Sequence, residues 1–210
     1  PCVAVTGTNG KTTTTQIIEL MLNACGKRTR ASGNIGPAFS RQVLSGEVLD
    51  IDTVEVSSFQ LETIRRFHPR GVVWTNFAED HLDRYPDMAA YRRAKLRIFE
   101  NQTEEDFAVV NVRDELPGLR AERITFSAYV GGGDFELKDG AIRYRGERLL
   151  DIARIRLRGA HNVENMMAAL GVGCGLGMDL SACAEAISAY CPQPHRCELV
   201  GTVADVEYVN

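Results

Sequence analysis

The sequence predicts an α/β fold, a mostly parallel sheet flanked by helices, with a small antiparallel β meander. Three observations predict it. Short apolar strands alternate with helix-period segments through the first half, at lengths that suit βαβ units. A glycine-rich turn stands between the first strand and the first helix. The stretch 124–158 has instead a Gly131-Gly132-Gly133 tract, a turn at Asp139-Gly140 and short strands such as Ile142 to Tyr144, the signs of a meander.

Val3 to Thr6 reads as a buried strand. Lys11 to Cys25 carries Ile17, Ile18, Met21 and Leu22 at helical spacing, and Gly26 stands at a stop position. A second strand is expected over Arg28 to Ser32, then the loop Gly33-Asn34-Ile35-Gly36, with Pro37 in the first turn of another helix. Ile51 to Val56 and Gly71 to Thr75 read as the third and fourth strands. Asp87 to Asn101 is helical, and Phe107 to Asn111 is the fifth strand. Helices resume over His161 to Leu176 and Leu180 to Tyr190, the second capped by Asp179 or Ser181. Pro192 and Pro194 mark a linker, and Gly201 to Asn210 reads as a strand or hairpin.

At 210 residues, with 44% apolar and 25% charged residues, the chain has the composition of an ordinary globular domain. A net charge of −4 without a basic block speaks against a general grip on nucleic acid. The longest uncharged stretch, Asn165 to Met178, is shorter than the ~20 residues that span a bilayer. Cys2, Cys25, Cys174, Cys183, Cys191 and Cys197 form no C-x-x-C pair and read as reduced core residues of a cytoplasmic protein.

Ligands of such sheets bind beyond the carboxyl ends of the strands, where Gly7, Gly33, Glu55 and Asn76 stand. The first of these turns is Gly7-Thr8-Asn9-Gly10-Lys11-Thr12-Thr13. Its glycines let backbone amides converge on phosphate oxygens, and the following helix N-terminus favours an anion. Lys11 can reach terminal phosphates, and the Thr12 or Thr13 hydroxyl can ligate Mg²⁺. The loop is a short variant, because Val5 stands where the usual pattern has its first glycine. It makes the sheet one of P-loop type.

Other polar groups are less specific. Glu55, in Val54-Glu55-Val56-Ser57-Ser58-Phe59-Gln60-Leu61-Glu62, reads equally as an Mg²⁺ ligand or as an edge-strand carboxylate. Asn76-Phe77-Ala78-Glu79-Asp80-His81-Leu82-Asp83-Arg84 reads as a site rather than a solvated loop, His81 holding a metal or a phosphate. On its own, Lys95 in Tyr91-Arg92-Arg93-Ala94-Lys95-Leu96-Arg97 belongs to a solvated basic helix face. His161-Asn162-Val163-Glu164-Asn165 serves equally as caps or ligand donors, and His195-Arg196 is ambiguous.

Taken together, TGTNGKTTT, GNIGPA, EVSSFQLE, NFAEDHLDRYP, AYRRAKLRIFENQ, GAHNVENMMAA and PHRCE resemble, in order, the motifs of the Mur ligase family. These are ATP-dependent amide ligases of peptidoglycan precursor synthesis. EVSSFQLE looks most like the branch that adds D-glutamate to UDP-N-acetylmuramoyl-L-alanine, so the resemblance implies those two substrates. It implies residues 1–193 as the central ATP-binding domain and 194–210 as a hinge with the start of a C-terminal domain. On that view the N- and C-terminal domains of the family are missing from this chain, which should ligate poorly alone.

The resemblance also implies roles. Gly7, Thr8, Asn9, Gly10, Lys11, Thr12, Thr13, Asn162, Asn165 and Arg196 contact ATP. Thr12, Thr13, Glu55, His81 and Lys95 hold two Mg²⁺ ions, Lys95 as a carbamate formed with CO₂. Lys11, Lys95 and His81 are the catalytic residues. Asn34, Ser57 and Gln60 contact the UDP-muramoyl substrate. A ligase of the folylpolyglutamate synthase type and a non-catalytic nucleotide-binding module remain as alternatives. A P-loop kinase or GTPase is disfavoured by the short loop and by the lack of an obvious D-x-x-G or N-K-x-D element.

Overall fold

A computed structural model describes residues 1–191, 199–204 and 206–209. The strands are β1 (Cys2–Thr6), β2 (Thr29–Gly33), β3 (Ile51–Glu55), β4 (Gly71–Trp74), β5 (Phe107–Asn111), β6 (Glu122–Ser127), β7 (Phe135–Lys138), β8 (Ala141–Tyr144) and β9 (Glu147–Asp151). They form one sheet in the order β2-β3-β1-β4-β5-β6-β7-β8-β9, with every pair from β2 through β7 parallel. A separate antiparallel hairpin, β10 (Leu199–Val203) and β11 (Val206–Val209), matches the strand or hairpin expected there.

The parallel strands are covered on both faces, as such strands require. On one face Val3, Val5, Val73 and Val109 meet α1 (Lys11–Ala24), α5 (Ala160–Gly175) and α6 (Leu180–Ser188). On the other, Ala4, Val72, Trp74 and Ala108 meet Leu61, Ile98 and Phe99. α5 lies close to the sheet because it carries glycines at the contact: a Cβ at Gly171 would stand 2.5 Å from Val109.

Most expected elements are present within a residue or two. Pro37 precedes α2 (Phe39–Leu44) rather than entering it, and its carbonyl accepts the Gly33 N–H at 2.9 Å, closing the Gly33–Gly36 loop. α4 (Met88–Leu96) is capped by the Asp87 carboxylate and continues as a 3-10 turn over Arg97–Phe99. Asp179 caps α6 by accepting the Ser181 N–H at 2.9 Å. One short helix was not expected: α3 (Ser58–Leu61), opened by a capping box between Ser57 and Gln60.

The meander is smaller than its sequence suggested. β6 is a sixth parallel strand, pairing Phe107 with Glu122 and Asn111 with Phe126. Within this sheet only the β7–β8 and β8–β9 pairs are antiparallel, and β7, parallel to β6, joins them to the parallel strands. Among the described residues no helix connects β5 to β6 or β6 to β7, so strand–helix rhythm could not reveal that β6 is parallel. The cysteines also divide: Cys183 is in the core, Cys2, Cys25 and Cys174 are half-buried, and Cys191 is exposed, contrary to a core role. Burial pushes the Cys183 thiol up to about 12, so it stays protonated at neutral pH. Among the described residues no helix is long and apolar enough to cross a membrane.

Glu164 ties α5 to the strand ends. Buried on the helix, it accepts from Arg113 Nη2 at 2.7 Å and from the Ala128 N–H at 3.2 Å. Glu164→Ala should leave Arg113 and that amide without their partner and cost about 2 kcal/mol, less than a fully buried pair because Arg113 keeps water. Equilibrium unfolding in urea reads the loss; an unchanged midpoint would refute it.

Candidate functional site

β1 lies between β3 and β4, so the loops that leave these three strands converge at one end of the sheet. Register places Val5 opposite Glu55 and Thr6 opposite Trp74. The loop Gly7–Gly10 leaves β1 there and enters α1. Gly10 is the N-cap at φ 81° and gives no side-chain cap, so first-turn amides of α1 are left for a ligand. The loop needs its glycines: a Cβ on Gly7 would stand 1.9 Å from Thr75 Oγ1, and one on Gly10 2.3 Å from Asn165 Oδ1.

Residues after β4 hold the loop in place. The Thr8 N–H donates to the Asn76 carbonyl and the Asn9 N–H to Asn76 Oδ1, both at 2.9 Å. Thr75 Oγ1 donates to the Asn9 carbonyl at 2.6 Å. Thr8 Oγ1 lies 3.3 Å from the Tyr91 hydroxyl on α4. Thr75 and Tyr91 were not anticipated as site residues; a hydroxyl residue directly after a strand, beside Asn76, was the available signal for the first.

Two amines meet on one carbonyl. Lys11 Nζ donates to the Gly7 carbonyl at 3.1 Å and to the Thr8 carbonyl at 2.8 Å. Lys95 Nζ donates to the same Gly7 carbonyl at 2.6 Å. Lys95 is only 1% exposed, which overturns the solvated basic face read from its neighbours: Tyr91 and Ala94 share its buried side of α4, while Arg93 is exposed. Burial, then the positive charge of Lys11, push the Lys95 amine down to about 7, against the pull of Asp80 and Glu55. Burial also lowers Lys11, opposed by Glu55 and Asp80.

A lysine near 10.4 when unfolded and near 7 when folded has a definite pH signature. Between those values the unfolded chain binds the extra proton, so stability rises with pH across that window; below it both states are protonated and the penalty is constant. Lys95→Met should therefore be more stable than the parent at pH 6, by a few kcal/mol, with the advantage shrinking toward pH 10. Urea unfolding of both proteins across this range checks it; a difference independent of pH would refute the buried amine.

Glu55 completes the cluster. It is 1% exposed, on an interior strand, so the edge-strand alternative fails. Oε1 accepts from Asn34 Nδ2 at 2.7 Å, whereas Oε2 is buried without a protein partner. A buried carboxylate oxygen without a protein partner, on a residue whose charge acts on both amines, suits a hard divalent cation, which completes its shell with phosphate and water. Thr12 and Thr13 stand half-buried in the first turn of α1. Among the described residues no three His, Cys, Asp or Glu side chains converge on a metal position.

His81 sits at φ 55° and packs against Phe59 and Tyr91, with ring centroids 5.0 and 5.6 Å away; its Nε2 lies 3.5 Å from Asp80 Oδ2. It is thus linked to the loop through Tyr91. Asn165 Oδ1 accepts from Thr14 Oγ1 at 3.1 Å and its Nδ2 donates to Asn162 Oδ1 at 3.2 Å, so this pair braces α5 against α1 beside Gly10. Asn34 is held by Glu55, while Ser57 and Gln60 cap α3 through each other, at 2.9 and 3.3 Å. Arg196, together with His195, Pro192, Pro194 and Cys197, lies outside the described residues.

Residues 5–173 match the family described as the Mur ligase middle domain. A UDP-N-acetylmuramoylalanine--D-glutamate ligase of Geobacter metallireducens is 43% identical over 217 residues, covering 99% of this chain and 48% of that protein. The ligase of the same name from Koribacter versatilis is 40% identical over 222 residues, again 99% and 48%. The chain thus spans about half the length of the curated relatives it matches. Among solved structures, the UDP-N-acetylmuramate-alanine ligase MurC of Thermotoga maritima superposes with a TM-score of 0.71 at 26% identity, covering 97% of this chain and 48% of that one. MurF ligase of Thermotoga maritima, solved in complex with ADP, gives 0.76 at 19% identity over 96% and 51%, a likeness of fold.

Proposed function

The chain belongs to the Mur ligase middle-domain family, and from that premise we propose that it is the ATP-using part of a cytoplasmic ligase that joins D-glutamate to UDP-N-acetylmuramoyl-L-alanine through an acyl phosphate. Residues 1–193 are the nucleotide unit, and 194–210 lead to a further unit; the hairpin β10–β11, which stands apart from the nine-stranded sheet, supports that division. The observation that carries the function is the meeting of Lys11 and Lys95 on the Gly7 carbonyl, within the field of Glu55, whose Oε2 has no protein partner.

The first step brings two anions together, the substrate carboxylate and the γ-phosphate of ATP. The carboxylate oxygen bonds to phosphorus, the bond to the bridging oxygen breaks, and ADP leaves. Lys11 offsets negative charge on the transferring group, and first-turn amides of α1 hold the phosphates. The uncharged D-glutamate amine then attacks the acyl carbon, the acyl carbon–oxygen bond breaks to release phosphate, and the new amide nitrogen gives up a proton. Glu55, Thr12, Thr13, His81 and Lys95 would hold two Mg²⁺ ions; when bound, these neutralise phosphate charge. Lys95 has the chemistry to join them: part of it is neutral near pH 7, and an uncharged amine adds CO₂ to give a carbamate and a proton. Asn162, Asn165 and Arg196 contact the nucleotide, while Asn34, Ser57 and Gln60 contact the muramoyl substrate.

Calorimetric titration of the chain with a non-hydrolysable ATP analogue and Mg²⁺ tests the nucleotide half of this function. Magnesium-dependent binding is expected, and Gly10→Ala should weaken it at least tenfold, because the new methyl would collide with Asn165. Binding that is unchanged in this variant would exclude the loop as the phosphate site.

A further inference from the structure

A pocket of about 170 Å³ opens behind Glu55, between β3 and the segment that carries α3. Phe39, Val54, Val56, Ile64 and Phe67 make it apolar, and Gln60 and Glu55 are its polar members. The rings of Phe39 and Phe67 meet edge to face, 6.2 Å apart, which fixes part of the wall. Glu55 belongs both to this pocket and to the amine cluster, since its charge acts on Lys11 and on Lys95. Asn34 bonds to Glu55, so the groups proposed to hold the acyl substrate border the same space.

In the reaction proposed above, the reacting carboxylate must reach the triphosphate beside those amines. The side chain of the residue that bears this carboxylate branches from the next carbon. A space lined by apolar side chains and bordered by Glu55 is where that branch can leave water. We propose that the pocket receives the side chain of the acyl substrate's terminal residue and that Ile64, Phe67 and Val56 select a short aliphatic group there. This rests on reading the site as a carboxylate-activating one. The pocket volume leaves room beyond a single methyl, so each added carbon should tighten binding about fourfold, the effect of burying one methylene, until the space is full.

The chain, labelled at backbone amide nitrogens and at isoleucine and valine methyls and saturated with Mg²⁺ and a non-hydrolysable ATP analogue, can be titrated with N-acetylglycine, N-acetyl-L-alanine and N-acetyl-L-2-aminobutyrate. The methyls of Val54, Val56 and Ile64 should move, with affinity rising about fourfold at each step. Ile64→Phe, which fills the pocket, should flatten the series while leaving the analogue-induced shifts of the Gly10–Thr13 amides in place. Phe67→Leu, a milder change that loosens the wall, should lower the gain per added carbon without abolishing it. Equal affinities for the three acids, pocket methyls that stay still throughout, or a series unaltered in both variants would overturn the proposal. Amides at Gly10–Thr13 that ignore the analogue would instead refute the nucleotide site, while a series still followed by the pocket methyls would leave the pocket standing.

Discussion

Replacing Lys95 by alanine is expected to cut acyl-phosphate formation by about a thousandfold, the scale set by removing a preorganised charge-stabilising group. The assay traps the acyl phosphate with hydroxylamine, in a ligase that carries this chain as its middle segment. Two properties make the loss large. Lys95 is inside the protein, so water does not replace its amine readily. It also shares its acceptor with Lys11, so its removal changes the setting of that lysine. Formate or acetate should restore part of the rate, because a free carboxylate can occupy the vacated space as the carbamate would. Full activity in the variant removes Lys95 from the mechanism, whereas a loss that no short carboxylate repairs argues for a purely structural amine.

The second large effect belongs to Lys11. Its ammonium lies over the loop that enters α1, donating to the Gly7 and Thr8 carbonyls. Lys11→Ala should abolish acyl-phosphate formation and weaken ATP binding at least tenfold, and carboxylates should rescue nothing, since the missing charge is positive. Near-normal ADP release would contradict the assignment. The two variants are thus distinguished by rescue, not by the size of the defect alone.

Much of this site was legible in the order of residues, because its parts follow strands. Glycines, lysine and threonines between β1 and α1 mark that turn as a candidate phosphate loop through backbone chemistry alone. Glu55 was legible as a candidate but not as a buried one, since strand order, which places β3 inside the sheet, depends on long-range pairing. Lys95 was misleading for a different reason. Arg92, Arg93 and Arg97 surround it and suggest solvent, yet Tyr91, Ala94 and Ile98 fall at the helical spacings that turn Lys95 inward. Tyr91 was hidden by its ordinariness, because a tyrosine at an apolar position shows its hydroxyl contact with Thr8 only after folding. The S-x-x-Q pattern of Ser57 and Gln60 did carry a helix start, but α3 is four residues long and has no periodicity to display.

A single backbone oxygen, that of Gly7, receives both amines. Any chemistry that turns the Lys95 ammonium into an anion would take one positive charge from beside that oxygen and give Lys11 a counter-charge in place of a rival. Carbon dioxide and nucleotide would then be thermodynamically linked ligands of one loop. Whatever factor the first imposes on the affinity of the second, the second must impose on the first.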